Sequence, residues 1–189
     1  TVNLPVDQTL PGPGNFYNAS SEISTTKAGS ILFFAFYISD ATDPNSTNTR
    51  INITNTNPTR GVAVHPFFVD GASCSVADAF LCLTANQTNG FLMSDVDPGT
   101  SGYLGAIAVD GPAGLAGGNN TGCPISFNYL IGTASLKLVA SPKRFAELEA
   151  ESCAAEFGSP LPGCDPNSPT ATLPFNGLSN GYNRLPRVL

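Results

Sequence analysis

Apolar and polar positions form the clearest pattern between residues 29 and 69. Residues 31–38 carry no charge, glycine or proline, and four of the eight are aromatic. This composition is typical of a strand that is covered on both faces. Residues 62–69 are again apolar, and Pro66 within them favours an edge strand or a bulge, because proline cannot donate to a ladder.

Between these two runs, residues 50–57 alternate at their start. Ile51 and Ile53 fall on one face, whereas Asn52 and Thr54 fall on the other. Such alternation predicts a strand with one face in the core and one in water. The three runs together predict a mainly β protein, built as an antiparallel β-sandwich of the Ig-like or jelly-roll kind.

Further strands are predicted downstream, separated by turn signals. The segments are residues 87–93, 103–110, 125–131 and 134–139, and the last two form a predicted hairpin with Gly132 near its bend. Residues 141–157 predict the one helix, because Ser141 is a good N-cap, Pro142 suits the first helical position and Gly158 suits the C-cap. The apolar face of that helix would hold Phe145, Leu148, Ser152 and Ala155.

The chain ends are extended and spotted with apolar residues. Along residues 1–10, named here the N-terminal segment, one face carries Val2, Leu4, Val6 and Leu10, and the Pro-Gly repeat of residues 11–14 acts as a spacer. This segment is interpreted either as an edge strand that folds back on its own sandwich or as a strand donated to a neighbouring subunit. The predicted organisation is a donor or edge strand with linker (1–14), the sandwich (15–140), the helix with a cysteine-bracketed loop (141–169) and an extended tail (170–189).

Composition limits the classes of partner. Only 12% of the residues are charged and the net charge is −6, which argues against nucleic acid, whose binding needs basic patches. No apolar run approaches the 20 or so residues of a membrane helix, so no membrane span is expected. The first residue is Thr1, which we interpret as the start either of a mature, processed chain or of a trimmed piece of a longer one.

Five cysteines suggest an oxidising compartment. Cys74 with Cys82, and Cys153 with Cys164, each bracket a short turn-rich loop, and local disulfides are the natural expectation. Cys123 is then either a buried free thiol or the partner of one of the others.

Five sites match the sequon Asn-x-Ser/Thr, and the expectation is a secreted glycoprotein whose glycans replace the missing charges. The candidate sites are Asn18, Asn45, Asn52, Asn86 and Asn119.

Catalytic chemistry is sparse. His65 lies within an apolar run, no nucleophile elbow or phosphate loop is present, and we expect no enzyme and no cofactor. Calcium is the favoured metal candidate, because oxygen ligands gather in two loops that carry Asp40, Asp43, Asp95 and Asp97, whereas a single His and no CxxC pair disfavour zinc.

Several stretches resemble a group of bacterial secreted proteins of unknown function. They are RINITNTNPT (50–59), FFVDG with CSVAD (67–78), LCLTANQT (81–88), DVDPGT (95–100) and GCPISFNYLIG (122–132). The resemblance carries over no catalytic residue. The architecture is also similar to pilin-like extracellular fibre subunits that polymerise by donor-strand complementation, a likeness that rests on the tethered terminal strand.

The sequence therefore leads to a structural hypothesis. We expect a secreted subunit of an extracellular filament, a helical homopolymer in which each copy inserts a terminal strand into the next. The acceptor groove would be lined by residues 31–38 and 62–69, with residues 173–188 as the alternative donor. Two other hypotheses stay open. One is a monomeric carbohydrate- or surface-binding module, with Phe16, Tyr17 or Tyr103 as an aromatic platform and calcium as a candidate ligand. The other is a hydrolase built on a jelly roll, which would use paired aspartates such as Asp95 and Asp97.

Overall fold

A computed structural model describes residues 23–111, 121–139, 144–158, 160–165, 167, 171–178 and 180–185. These residues form twelve short strands and one helical turn. In chain order they are β1 Ile31–Ile38, β2 Asn48–Asn55, β3 Val62–Asp70, β4 Val76–Asp78, β5 Leu81–Leu83, β6 Thr88–Leu92, α1 Met93–Val96, β7 Ser101–Val109, β8 Leu130–Leu138, β9 Arg144–Glu149, β10 Glu151–Cys153, β11 Ala155–Glu156 and β12 Gly181–Tyr182.

Two antiparallel sheets pack face to face, which confirms the predicted β-sandwich. The first sheet has the order β10-β1-β7-β3-β4, and β5 also pairs with β3. The second sheet has the order β6-β2-β8-β9. Their inner faces form one core in which the largest side chains are almost completely buried, among them Tyr37, Phe34, Phe68, Leu104 and Leu130. Burial of this much apolar surface is the main favourable term in the folding of the domain.

The alternation in β2 has the predicted consequence. Ile51 and Ile53 are fully buried, whereas Asn52 and Thr54 remain partly exposed on the outer face. A shift of the register by one residue would exchange these two faces, so burial of one face fixes the pairing of β2 with β6 and β8.

Pro66 lies in β3, which is an interior strand and not an edge strand. At Pro66 the neighbour of β3 on one side changes from β5 to β4. Val64 pairs with Leu81 of β5, and Phe67 pairs with Asp78 of β4. The Pro66 carbonyl accepts a hydrogen bond from Ala79 at 3.2 Å, so its nitrogen faces the same side, the break between β5 and β4. The missing N–H therefore removes nothing from the ladder with β7.

The predicted helix is wrong. Residues 144–156 form β9, β10 and β11, while Ser141 and Pro142 lie outside the described residues. β9 pairs with β8 and β10 pairs with β1, so one extended chain crosses from the second sheet to the first at Ala150. Pairing with two otherwise open sheet edges outweighs helix propensity, which is a weak preference of a few tenths of a kcal/mol per residue.

The predicted hairpin around Gly132 is also wrong, because residues 130–138 form the single strand β8. A Cβ at Gly132 would lie 2.6 Å from the Phe34 ring. The glycine therefore makes room for a core aromatic residue from the opposite sheet, and does not mark a turn.

The C-terminal tail packs on its own sandwich. β12 pairs with β11, and Tyr182, Leu161 and Phe157 form a second buried cluster with Ile31 of the first sheet. The Phe175 ring lies 6.0 Å from that of Phe33 on the outer face of this sheet. Among the described residues, no helix is long and apolar enough to cross a membrane.

Candidate functional site: the free edge of β9

The predicted acceptor groove is occupied by the chain itself. β7 pairs with β1 on one side and with β3 on the other, so it fills the space between residues 31–38 and 62–69. A strand from another copy cannot enter there without displacing β7. The predicted donor residues Val2, Leu4, Val6 and Leu10 lie outside the described residues.

An unpaired strand edge lies instead at the border of the second sheet. β9 pairs with β8 on one side, and no described residue pairs with its other side. All six residues of β9 are exposed, and the Phe145 side chain is 73% exposed. An exposed edge strand presents a row of unpaired N–H and C=O groups, which is a template for the addition of another strand.

The register shows which backbone groups face outward. The Ala150 N–H donates to the Gly132 carbonyl at 2.9 Å, so the even-numbered residues next to it bond to β8. The N–H and C=O groups of Phe145, Glu147 and Glu149 consequently point away from the sheet. Their side chains lie on the outer face.

Ala146 and Leu148 lie on the other face of β9, the face that continues the core. They are opposite the core residues Leu136 and Ala134 of β8. Leu148 is nevertheless 37% exposed, because the first sheet does not extend over β9. An added strand with apolar side chains on this face would cover Leu148 and enlarge the core.

A groove of about 550 Å³ runs beside this edge on the outer face of the second sheet. Its lining brings together Arg50, Lys137, Glu147 and the ring of Phe145. The Lys137 ammonium donates to the Asn45 carbonyl, which holds the loop before β2 against β8. The groove therefore has mixed polarity.

The predicted disulfides are wrong, and the alternative left open for Cys123 is correct. Cys123 bonds to Cys164 with a Cα–Cα distance of 6.0 Å, and Cys74, Cys82 and Cys153 are free. Cys82 pairs with Ala63 near the start of β3, whereas Cys74 lies beside Asp70 at its end. Seven residues of extended strand separate these positions by roughly 23 Å, far beyond disulfide reach.

Cys153 is fully buried in the cluster beneath the tail. Burial raises the pKa of its thiol to about 12. A thiol without solvent access and with a raised pKa is unreactive, so Cys153 acts as a small apolar core residue.

The sequons differ in accessibility. Asn45 and Asn86 are exposed in turns, and Asn86 has a positive φ of 53° that projects it from the turn between β5 and β6. Asn52 lies in the middle of the second sheet, where its amide donates to Thr133 and accepts from Arg50. Asn18 and Asn119 lie outside the described residues.

The four calcium candidates serve the loops in other ways. Asp40 accepts from the backbone N–H groups of Thr42 and Asp43 at 2.9 and 3.0 Å, and these bonds hold the pKa of Asp40 below its usual value. Asp43 caps the next turn through the Asn45 N–H. Asp95 is exposed on α1.

Asp97 accepts from the buried Tyr37 hydroxyl at 2.6 Å and from Thr100 at 2.8 Å. Burial is the largest cause, and the hydrogen bond to Asp97 the second, of the rise in the pKa of Tyr37 to about 12. Within the described ranges, no three His, Cys, Asp or Glu side chains form a group that could hold a metal ion. The calcium site stays a prediction.

His65 is held as a structural residue. Its ring stacks between Phe67 and Phe80 at centroid distances of 4.1 and 4.0 Å, and its Nε2 lies 2.7 Å from an Asp78 oxygen. These contacts fasten the short strand β4 and the following turn to β3.

The outer face of the first sheet carries exposed aromatic residues. Tyr103 is 49% exposed and Phe36 is 40% exposed, and a Cβ at the nearby Gly105 would lie 3.8 Å from the Phe33 ring. Tyr103 was expected in an aromatic platform, whereas Phe16 and Tyr17 lie outside the described residues. Phe145 was predicted on the apolar face of a helix and not on a strand edge. The alternation of Ala146 and Leu148 with Glu147 and Glu149 is the sequence signal that indicates the strand β9.

No protein-family model matches the chain, and no curated protein matches its sequence. Among solved structures, the chain is similar to one described as "Crystal Structure of Thermotoga maritima 1070", with 9% identity and a TM-score of 0.48. That match covers 66% of this chain and 95% of the other. At this level of likeness, it carries no argument about function.

Proposed function

We propose that the chain is a structural subunit of an extracellular filament, which polymerises head to tail when the N-terminal segment of one copy binds the next. The free edge of β9 is the observation that supports this proposal most strongly. Natural sheets commonly cover or shorten their edges, whereas β9 leaves six exposed residues without a second partner among the described ones. A contact between two different surfaces of the same chain does not close on itself and therefore gives a fibre.

The disulfide and the sequons support an extracellular location within this proposal. Disulfides such as Cys123–Cys164 persist mainly in oxidising compartments. Asn45 and Asn86 are exposed in turns, where a glycan can be attached without disturbing a sheet. Glycans at these two sites would hydrate a surface that carries few charges.

Electron microscopy of the purified chain, beside a variant that lacks residues 1–14, tests the proposed function. We expect filaments from the full chain and monomers from the shortened variant, because the variant keeps the acceptor and loses the donor. Filaments from both would move the contact to another surface. Monomers from both would refute filament assembly under the conditions tested.

A second candidate function is supported by the aromatic outer face of the first sheet. Exposed aromatic rings such as those of Tyr103 and Phe36 are of the kind that stacks against sugar rings or extended chains. Under this proposal the chain is a monomeric binding module. We then expect the full chain and the variant that lacks residues 1–14 both to remain monomeric and to bind to a glycan array.

A further inference from the structure

Pro5 limits which side of the N-terminal segment can pair with a sheet edge. Proline has no N–H, so residue 5 must face away from the strand that accepts the segment. Backbone groups of alternate residues in an extended chain point to opposite sides, and the even-numbered residues therefore supply the hydrogen bonds. Val2, Leu4 and Val6 are among these residues, so the bonding positions are also the apolar positions.

The outward-facing backbone groups of β9 belong to odd-numbered residues, and this determines the direction of the added strand. In an antiparallel pair, bonded residues lie opposite each other and their side chains share a face. Val2, Leu4 and Val6 would then lie on the face of Glu147 and Glu149. In a parallel pair, bonded residues are offset by one position, and the same side chains reach the opposite face.

Parallel addition therefore meets two independent requirements. It turns the nitrogen of Pro5 away from the sheet, and it places the apolar side chains on the face of Ala146 and Leu148. That face continues the core, and Leu148 is 37% exposed there. Antiparallel addition meets only one of the two requirements.

The direction of the described chain favours the edge of a second copy over its own. Ser24 and Ser152 form an antiparallel bridge with N···O distances of 3.0 and 2.8 Å. Because β10 continues directly from β9 and the bridge is antiparallel, Ile23 lies on the side of Ser24 that is farther from β9. Ile23 accordingly packs against the cluster that holds Ala155 and Tyr182, beyond the far end of β10.

We propose that the N-terminal segment of one copy adds as a parallel strand to the free edge of β9 in the next copy. Val2, Leu4, Val6 and Leu10 cover Ala146 and Leu148, and the outward backbone groups of Phe145, Glu147 and Glu149 gain partners. This inference rests on the proposed head-to-tail assembly and names both of its surfaces.

Glu147 offers a test with a matched control. Its N–H faces outward, so Glu147→Pro blocks the edge without removing a bond to β8, whereas Glu147→Ala removes the same charge and keeps the N–H. We expect loss of filaments with Glu147→Pro and normal filaments with Glu147→Ala, as seen by electron microscopy. Thermal unfolding of both variants shows whether each retains the folded sandwich.

A pair of donor variants keeps the test independent of the stability of β9. Leu4→Asp puts a charge on the apolar face, and Asn3→Asp puts the same charge on the opposite face. Loss of filaments with Leu4→Asp alone supports the proposal. If filaments require residues 1–14 but tolerate Glu147→Pro, the β9 acceptor is wrong and the filament proposal stands. If the unmodified chain forms no filaments, the filament proposal itself is wrong.

Discussion

Removing the Cys123–Cys164 disulfide, by changing both residues to alanine, should lower the free energy of unfolding by about 4 kcal/mol. The bond closes a loop with a sequence separation of 41 residues, and its removal frees the unfolded chain by an entropy equivalent to about 4 kcal/mol. The same bond links the chain that follows β7 to the residues that follow β11 and pack in one cluster with Ile31. Urea unfolding followed by circular dichroism measures the loss.

Two cysteines outside this disulfide supply the control for the prediction. Cys74 and Cys82 are exposed and free, so the double change to alanine should alter the free energy of unfolding by less than about 0.5 kcal/mol. If both double variants unfold at the same urea concentration, Cys123 and Cys164 are not bonded in the folded protein.

Gly102→Ala should destabilise the sandwich by about 3 kcal/mol, because β7 has no room for a Cβ at that position. The added atom would overlap the carbonyl oxygen of Val69 and lie 3.0 Å from the Gly71 nitrogen. These are backbone atoms of the paired strand and its turn, so they can move only if the ladder between β3 and β7 opens. Thermal or urea unfolding of the variant measures the cost.

Gly105, three residues along the same strand, is the matched control. A Cβ there would approach nothing closer than the Phe33 ring at 3.8 Å. Gly105→Ala should therefore leave stability unchanged or raise it by about 0.5 kcal/mol, since alanine loses less chain entropy on folding. Equal losses at Gly102 and Gly105 would contradict the packing of β7 described above.

The sequence could predict a strand where its two faces differ in polarity or where its residues are nearly all apolar. β1, β2 and β3 each have such a pattern, and all three lie close to their predicted bounds. The pattern does not contain the order of strands within a sheet. β7 lies between β1 and β3 although residues 71–100 separate it from β3 in the chain, and this long-range pairing fills the predicted acceptor groove.

The errors have physical causes. Phe145, Leu148 and Ala155 match a helical spacing, but they lie in strands because β8 and β12 offer hydrogen bonds that the local sequence does not reveal. The disulfide was mispredicted for a related reason. Cysteines that are close in sequence can be far apart along a strand, whereas Cys123 and Cys164 are 41 residues apart in sequence and come together only through the tertiary fold.

A mixing experiment tests strand exchange between copies most directly. One partner lacks residues 1–14 and has only the acceptor, and the other carries Glu147→Pro and has only the donor. We predict that each protein alone is a monomer, and that an equimolar mixture forms a dimer that grows no further, as measured by sedimentation velocity. A mixture that remains monomeric, while the unmodified chain forms filaments, would contradict assembly through the N-terminal segment and the edge of β9.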